Sequence, residues 1–383
     1  MRPALSLLIL SSALAAHAAV VPDRFESIAN QAEKARAQEK FPEAIHLYRE
    51  GTALRPSWFE GWWSLGTLLY EQDRFPEAGS AFEHLLSSSR HRGPADAFLA
   101  LCAYETGDYD KALTRFRSWA SAGWGGTPEF RDVAIYHFAL LLTRDGQFVE
   151  SLYLLEPLAQ RFGATPELTE AMGLASLRMK FLPVDFPPEA RERIWLAGKA
   201  ATYEFAYAQD FARAGEYAAR LEARYGDRPE VHYFRGTLYT FEGQQSDAER
   251  EYRDELKLSP NHAEALTALA AIELDQAQIE EAETLAQRAI ASDPNSAEAH
   301  HVLGRILLNR KQWQPAAVEL ETAKRLNPGN PQVRAHLAMA YEKLGRRQDA
   351  NAELEAFNLL KAQEDTMTPA ESKLAQPAGK KIH

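Results

Sequence analysis

Trp62-Trp63-Ser64-Leu65-Gly66-Thr67-Leu68-Leu69, followed by Ala78-Gly79-Ser80-Ala81-Phe82, is the stretch from which the fold is read. Trp62, Leu65 and Leu69 recur at the three- and four-residue spacing of one helix face, and Ala78 and Phe82 do the same further on. Two helices in succession are therefore expected. Gly66 and Ala78 are small where an antiparallel pair would cross closely, and a larger group at either would push the backbones apart.

Working outward, the same letters return at a fixed interval of 34 residues. Leu269-Ala270, Leu303-Gly304 and Leu337-Ala338 form one series, Ala248, Ala282, Ala316 and Ala350 a second, and Pro260, Pro294 and Pro328 a third. Three series in one register mark an internal repeat. Proline stops the second helix of each unit by removing a donor and clashing with the preceding turn, and polar residues in DPNSAE and NPGNPQ can cap the next helix. The phasing places repeat starts near Phe25, Phe59, Gly93, Asp132, Trp195, Pro229, Ala263, Ala297 and Pro331, with Gly107, Gly146, Gly243 and Gly345 in tight turns inside the pairs. The first copy lacks its aromatic but keeps Ala44, Tyr48 and Pro56, which suits a cap. Between Pro166 and Pro188 the beat weakens. ELTEAMGLASLRMK reads as a first helix with Gly173 at the close-packing position, whereas FLPVDFPPEARER stands where a second helix is expected. An inserted loop crossing the groove and a seam between two arrays both fit this break.

These motifs resemble the tetratricopeptide-repeat family over roughly residues 25 to 362, most specifically over 59 to 86 and 229 to 362. The chain is also similar to exported bacterial proteins of that family in which two arrays flank a proline-rich connection like LPVDFPPEARER. The resemblance implies an all-α, right-handed superhelical solenoid of about nine helix pairs, first helices lining a concave groove and second helices forming the convex back. It implies assembly or recruitment scaffolding; that neither catalysis nor a cofactor is expected rests instead on the missing chemical motifs. The expected organisation is a signal peptide over 1–18, an N-terminal array over 19–165, an irregular repeat and proline-rich connection over 166–194, a C-terminal array over 195–362 and a disordered tail over 363–383.

Carrying the family's groove positions onto this phasing gives Trp63, Tyr70, Tyr104, Tyr136, Tyr233 and Phe241, then His301, Arg305 and Lys343, as partner-binding candidates. Aromatics dominate early and polar groups late, a gradient that suits an extended peptide or partner helix anchored by a few rings. Packing between adjacent helices accounts for the same aromatics equally well. Trp62, by contrast, falls at the internal packing position and is expected in the core. His300 and His301 are consecutive, so their side chains diverge by about 100° and make a poor metal pair.

Composition bounds the rest. Hydrophobic residues form 45% of the 383 and charged residues 25%, which fits a soluble chain with a packed interior. The net charge of -11 disfavours nucleic acid as a partner. Arg2 followed by an apolar run from Ala4 to Ala16 and then Ala16-His17-Ala18 reads as a secretory signal cleaved before Ala19, placing the protein in the periplasm or outside the cell and, with Arg2 gone, taking the charge from -11 to -12. No later stretch is long and apolar enough for a membrane span. Cys102 is the only cysteine, so no internal disulfide can form, and its place in ALCAY suits a buried thiol. No nucleotide loop, nucleophile elbow or metal-ligand spacing occurs. Three functional readings follow: an adaptor that holds a protein in the groove, a structural component of an envelope assembly using its convex face or ends, and a carbohydrate-binding module. Self-association through array ends is open.

Export predicts that protein recovered from the periplasmic fraction has the intact mass of residues 19–383. A mass that retains residues 1–18 would identify that segment as an uncleaved anchor or a buried helix.

Overall fold

The computed structural model describes residues 23–87, 92–205 and 210–366. The signal segment 1–18 and the part of the expected tail beyond Thr366 lie outside them. The chain divides into two compact units, 1–125 and 126–383. In the first, α1 (Arg24–Ala37) pairs with α2 (Phe41–Leu54), α3 (Phe59–Glu71) with α4 (Phe75–Glu83), and α5 (Arg92–Glu105) with α6 (Tyr109–Ser121). In the second, α7 (Pro128–Asp145) pairs with α8 (Phe148–Phe162). After α9 (Pro166–Ser176) come α10 (Arg191–Phe205) with α11 (Phe211–Tyr225), α12 (Val231–Phe241) with α13 (Gln245–Leu258), α14 (Ala263–Asp275) with α15 (Ile279–Ser292), α16 (Ala297–Asn309) with α17 (Trp313–Leu326), and α18 (Pro331–Lys343) with α19 (Arg347–Thr366). Each unit is thus an all-α stack of helix hairpins, and the nine pairs among the described residues begin within four residues of the phased positions.

The small positions do the work the sequence assigns them. A Cβ on Gly66 would lie 2.7 Å from the Phe82 ring, one on Gly236 2.5 Å from the Tyr252 ring, and one on Gly304 2.6 Å from Leu320. In each hairpin a second-helix side chain therefore fills the volume that the first helix gives up. The turn between the helices is equally constant. A residue of positive φ follows the first helix, Gly107 and Gly146 in two copies, Ala277 and Lys311 in others, and the next N–H closes on a carbonyl five residues back, as in Gln312 N to Leu307 O at 2.9 Å. Side-chain caps begin several helices: Ser296 Oγ accepts from Ala299 N at 3.2 Å, and Asn330 Oδ1 from Gln332 N at 2.9 Å.

The proline-rich break proves to be a long connection between two tightly packed helices. α9 ends as a first helix does, with Arg178 at φ 51 and Met179 N on Leu174 O at 2.9 Å. The chain then runs through a connection that buries Leu182 and Phe186 before α10 packs against α9 as its hairpin partner and against α11 as the first helix of the next pair. The α9–α10 crossing is backbone on backbone: a Cβ on Gly173 would lie 2.0 Å from Ile194 O, and one on Gly198 1.8 Å from Thr169 O. Thus α10 belongs to two hairpins.

A second periodic device links the helices of a pair. At one first-helix position and its partner 19 residues on, polar types are matched: Asp96 with Arg115 at 3.0 Å, His232 with Glu251 at 2.8 Å, His300 with Glu319 at 2.6 Å and Arg334 with Glu353 at 2.8 Å. Where the first member is Leu266, the second is Leu285, and both are buried. This position also reaches back to the proline that ends the previous repeat, Trp62 Nε1 to Pro56 O at 3.0 Å, His300 Nε2 to Pro294 O at 3.2 Å and Arg334 to Pro328 O at 3.2 Å. Trp62, expected in the core, is consequently half-buried at the rim, stacked on His84 at 3.8 Å.

Two outcomes are expected. Gly198→Ala should lower unfolding stability by about 1–3 kcal/mol in denaturant titration, because neither backbone can yield. Gly215→Ala, an exposed helical position with nothing within 4 Å of the added Cβ, should raise it by roughly 0.5–1 kcal/mol. The hydrogen bond to Glu319 raises the His300 pKa above 6.5, so the pair's stabilisation is complete below pH 6.5 and is lost as pH rises through the folded-state value. Glu319→Gln should bring the imidazole titration seen by NMR down, and its stability deficit should shrink as pH is raised.

Candidate functional site

The candidate residues sit on first helices, and their surroundings differ sharply. In the first unit Trp63 and Tyr70 share one neighbour. Phe98 stands edge-on to Trp63 at 5.4 Å and to Tyr70 at 5.6 Å, and is itself stacked on Phe82 at 4.5 Å. Burial pushes the Tyr70 phenol well above its ordinary pKa. Tyr104, half-buried, meets Tyr109 edge-on at 5.5 Å. These rings interlock across α3, α4 and α5, so their area is already spent on packing.

In the second unit Tyr136 is half-buried, with a phenol pushed up to about 12 by burial and by Glu167 and Glu170. Tyr233 lies against Tyr252 at 5.9 Å and the His262 ring at 4.6 Å. Phe241 behaves differently. It is 65% exposed and meets Phe205 edge-on at 5.1 Å. His301 is buried, and its Nε2 lies 2.9 Å from Nδ1 of His336 on the next first helix. Nδ1 of His301 faces Glu298 at 3.5 Å, and burial beside His301 lowers the His336 pKa to about 4. Arg305 is held by Asp275 at 3.0 Å, whereas Lys343 and the adjacent Met339 face are exposed. The structure thus joins Trp63 and Tyr70 through Phe98, and leaves Phe241 and Lys343 open.

Two polar clusters escaped the motif search. Arg178, at the end of α9, reaches Glu264 on α14, 86 residues away, lies 3.5 Å from Glu230 and rests over the Phe148 ring at 4.7 Å. Glu230 in turn meets His262 at 2.9 Å, and the group borders an open cleft of about 480 Å³ with Asn261 and Asp293 on its wall. Glu222, His232 and Glu251 bring three metal-type ligand atoms within 4.8 Å of one another. The Arg235 guanidinium contacts both carboxylates, at 3.1 Å from Glu251, so a dication there would meet a resident cation and the set is an ion-pair network. The Arg178 cluster joins residues 86 positions apart, the second joins the consecutive helices α11, α12 and α13, and the one signal in the letters is the matched pair at 19 residues, His232 with Glu251.

Comparison with known proteins comes to the same architecture. A family model described as the cilia and flagella-associated protein 70 middle TPR-like domain matches residues 196–361, and one described as tetratricopeptide repeat matches residues 30–97. Comparison with curated protein sequences finds no match. Among solved structures the chain is similar to MamA, at 20% identity over 44% of this chain and 97% of that one with a TM-score of 0.38. It is also similar to MamA 41-end from Desulfovibrio magneticus RS-1, at 19% identity over 46% and 98% with a TM-score of 0.39. YrrB, described as a TPR protein with an unusual peptide-binding site, matches at 17% identity over 48% and 92% with a TM-score of 0.37. Likenesses of that size identify no partner. The two family matches fall one in each compact unit, on hairpins that share a 34-residue beat, small crossing residues and left-handed turns, and on that ground this is a protein of tetratricopeptide-like repeats.

Proposed function

We propose that the chain is an exported protein-binding scaffold that enters an envelope assembly through the end of its last hairpin and its second-helix surface. The observation that carries this reading is α19. Tyr252, Ala286 and Leu320 occupy one repeat position in the three preceding second helices and are 2%, 0% and 0% exposed. Leu354 occupies it in α19 and is 45% exposed, with Leu359 beyond it at 61%. In the earlier hairpins the following first helix closes over this position. Among the described residues nothing does so for α19. An apolar helix face left uncovered among the described residues favours a protein neighbour. Exposed Leu54, Val149, Phe162, Leu258 and Val318 on other second helices point the same way.

Recognition by first helices is the second reading, now supported by Phe241, Met339 and Lys343 rather than by the interlocked rings. Alanine at Trp63, Tyr136 or Tyr233 would remove packing as well as any binding.

Cross-linking capture from envelope extract separates the two. Leu354→Asp with Leu359→Asp is expected to abolish the dominant cross-link while circular dichroism stays unchanged, and Phe241→Ala to leave it in place. The reverse pattern would move the interface to the first helices.

A further inference from the structure

The double role of α10 leaves a concavity on its flank. Both α9 and α11 pack on this helix. An open cleft of about 650 Å³ is bordered by Glu170 of α9, by Glu189 in the turn before α10, and by Arg224 and Tyr225 at the end of α11, with Arg191, Glu192 and Trp195 of α10 along it. A cleft of this size is in the range that holds small molecules.

Its lining combines one ring with alternating charges. Trp195 is 37% exposed although two neighbours hold it, Tyr217 edge-on at 5.6 Å and the Lys199 ammonium 5.5 Å from the ring centroid, itself bonded to Ala164 O at 3.1 Å. Glu192 accepts from the Tyr225 hydroxyl at 2.9 Å and meets Arg224 at 3.0 Å, so its carboxylate is oriented before any ligand arrives. Glu170, Glu189 and Arg191, by contrast, have no hydrogen bond or ion pair among the described residues; Arg191 rests over the Phe186 ring at 5.4 Å. The cleft therefore offers free acceptors and a free donor beside an exposed indole. With Lys199 counted, three carboxylates stand against three cations, so neither sign of ligand charge is favoured.

We propose that this cleft binds neutral pyranose units of a glycan in the gluco configuration, one ring lying on Trp195 with its hydroxyls between Glu189, Glu192 and Arg191. A ring whose substituents are all equatorial has apolar C–H faces that suit an indole. Each hydroxyl on its edge both donates and accepts, which is what carboxylates and guanidiniums in alternation require. A partner's lysine or arginine would instead meet Arg191, Arg224 and Lys199, and a phosphate or carboxylate would meet the three glutamates. None of the first-helix candidates lines the cleft, and it is separate in sequence from Leu354, so it gives the chain a ligand beyond the protein neighbour proposed for α19.

The test is a titration of the full chain with cellotriose, read by calorimetry and by the indole N–H NMR signal that Trp195→Leu removes. A saturable shift of that signal, loss of binding heat in Trp195→Leu and about tenfold weaker binding in Glu189→Gln are expected. Glu189 is exposed and unpaired, so its substitution leaves the fold intact and the test does not hang on Trp195 alone. No saturation by cellotriose, or an affinity unchanged by both substitutions, would overturn the proposal. So would tighter binding of N-acetyl-arginine methylamide than of cellotriose, which would make the cleft a docking point for a protein cation. Because the probe is a sugar, none of these outcomes depends on the α19 cross-link.

Discussion

The structure depends on how near two helix backbones come at one small residue per hairpin. At Gly66, Gly236 and Gly304 the missing side chain admits a ring or a leucine from the second helix, and that filled volume fixes the pair as a unit. The pairs then stack because each leaves an apolar face that its neighbour covers. At Gly173 and Gly198 the same economy goes further, and a peptide carbonyl takes the place of the side chain. No residue other than glycine fits there, so the point where the repeat pattern is weakest in letters is the point where the helices are closest.

The hairpins, their starts and their left-handed turns were legible because repetition supplies its own alignment: Ala248, Ala282, Ala316 and Ala350 test one another. The matched pairs at 19 residues were also present in the letters, yet they carry meaning only after α16 is known to lie beside α17. Two things were not legible. Proline in FLPVDFPPEARER signals a stop, and nothing local says that α10 beyond it will serve two neighbours. Groove positions were assigned by helical phase, which gives the direction of a side chain but not the identity of what fills the space before it. Phe98, one repeat on, occupies the space that Trp63 and Tyr70 face. Phe241 faces a position where no such ring follows, and it stays exposed.

Charge follows a similar logic of neighbours. His300 is raised by one carboxylate on the paired helix, while His336 is lowered by burial and by a second imidazole on the adjacent first helix. The two lie 36 residues apart in the same array, and their opposite shifts make its stability respond to pH from two directions.

Sharing α10 between two hairpins has a topological consequence. In an uninterrupted array the tight turns lie along one rim and the proline-bearing junctions along the other. α10 runs opposite to α9 and yet leads the pairs that follow, so the two rims exchange at this helix. Arg178, in a tight turn, therefore lies beside Ser259, Pro260 and Asn261, in a junction. Loops that lengthen independently on the two sides of α10 would emerge on a common rim, where one neighbouring molecule could touch both.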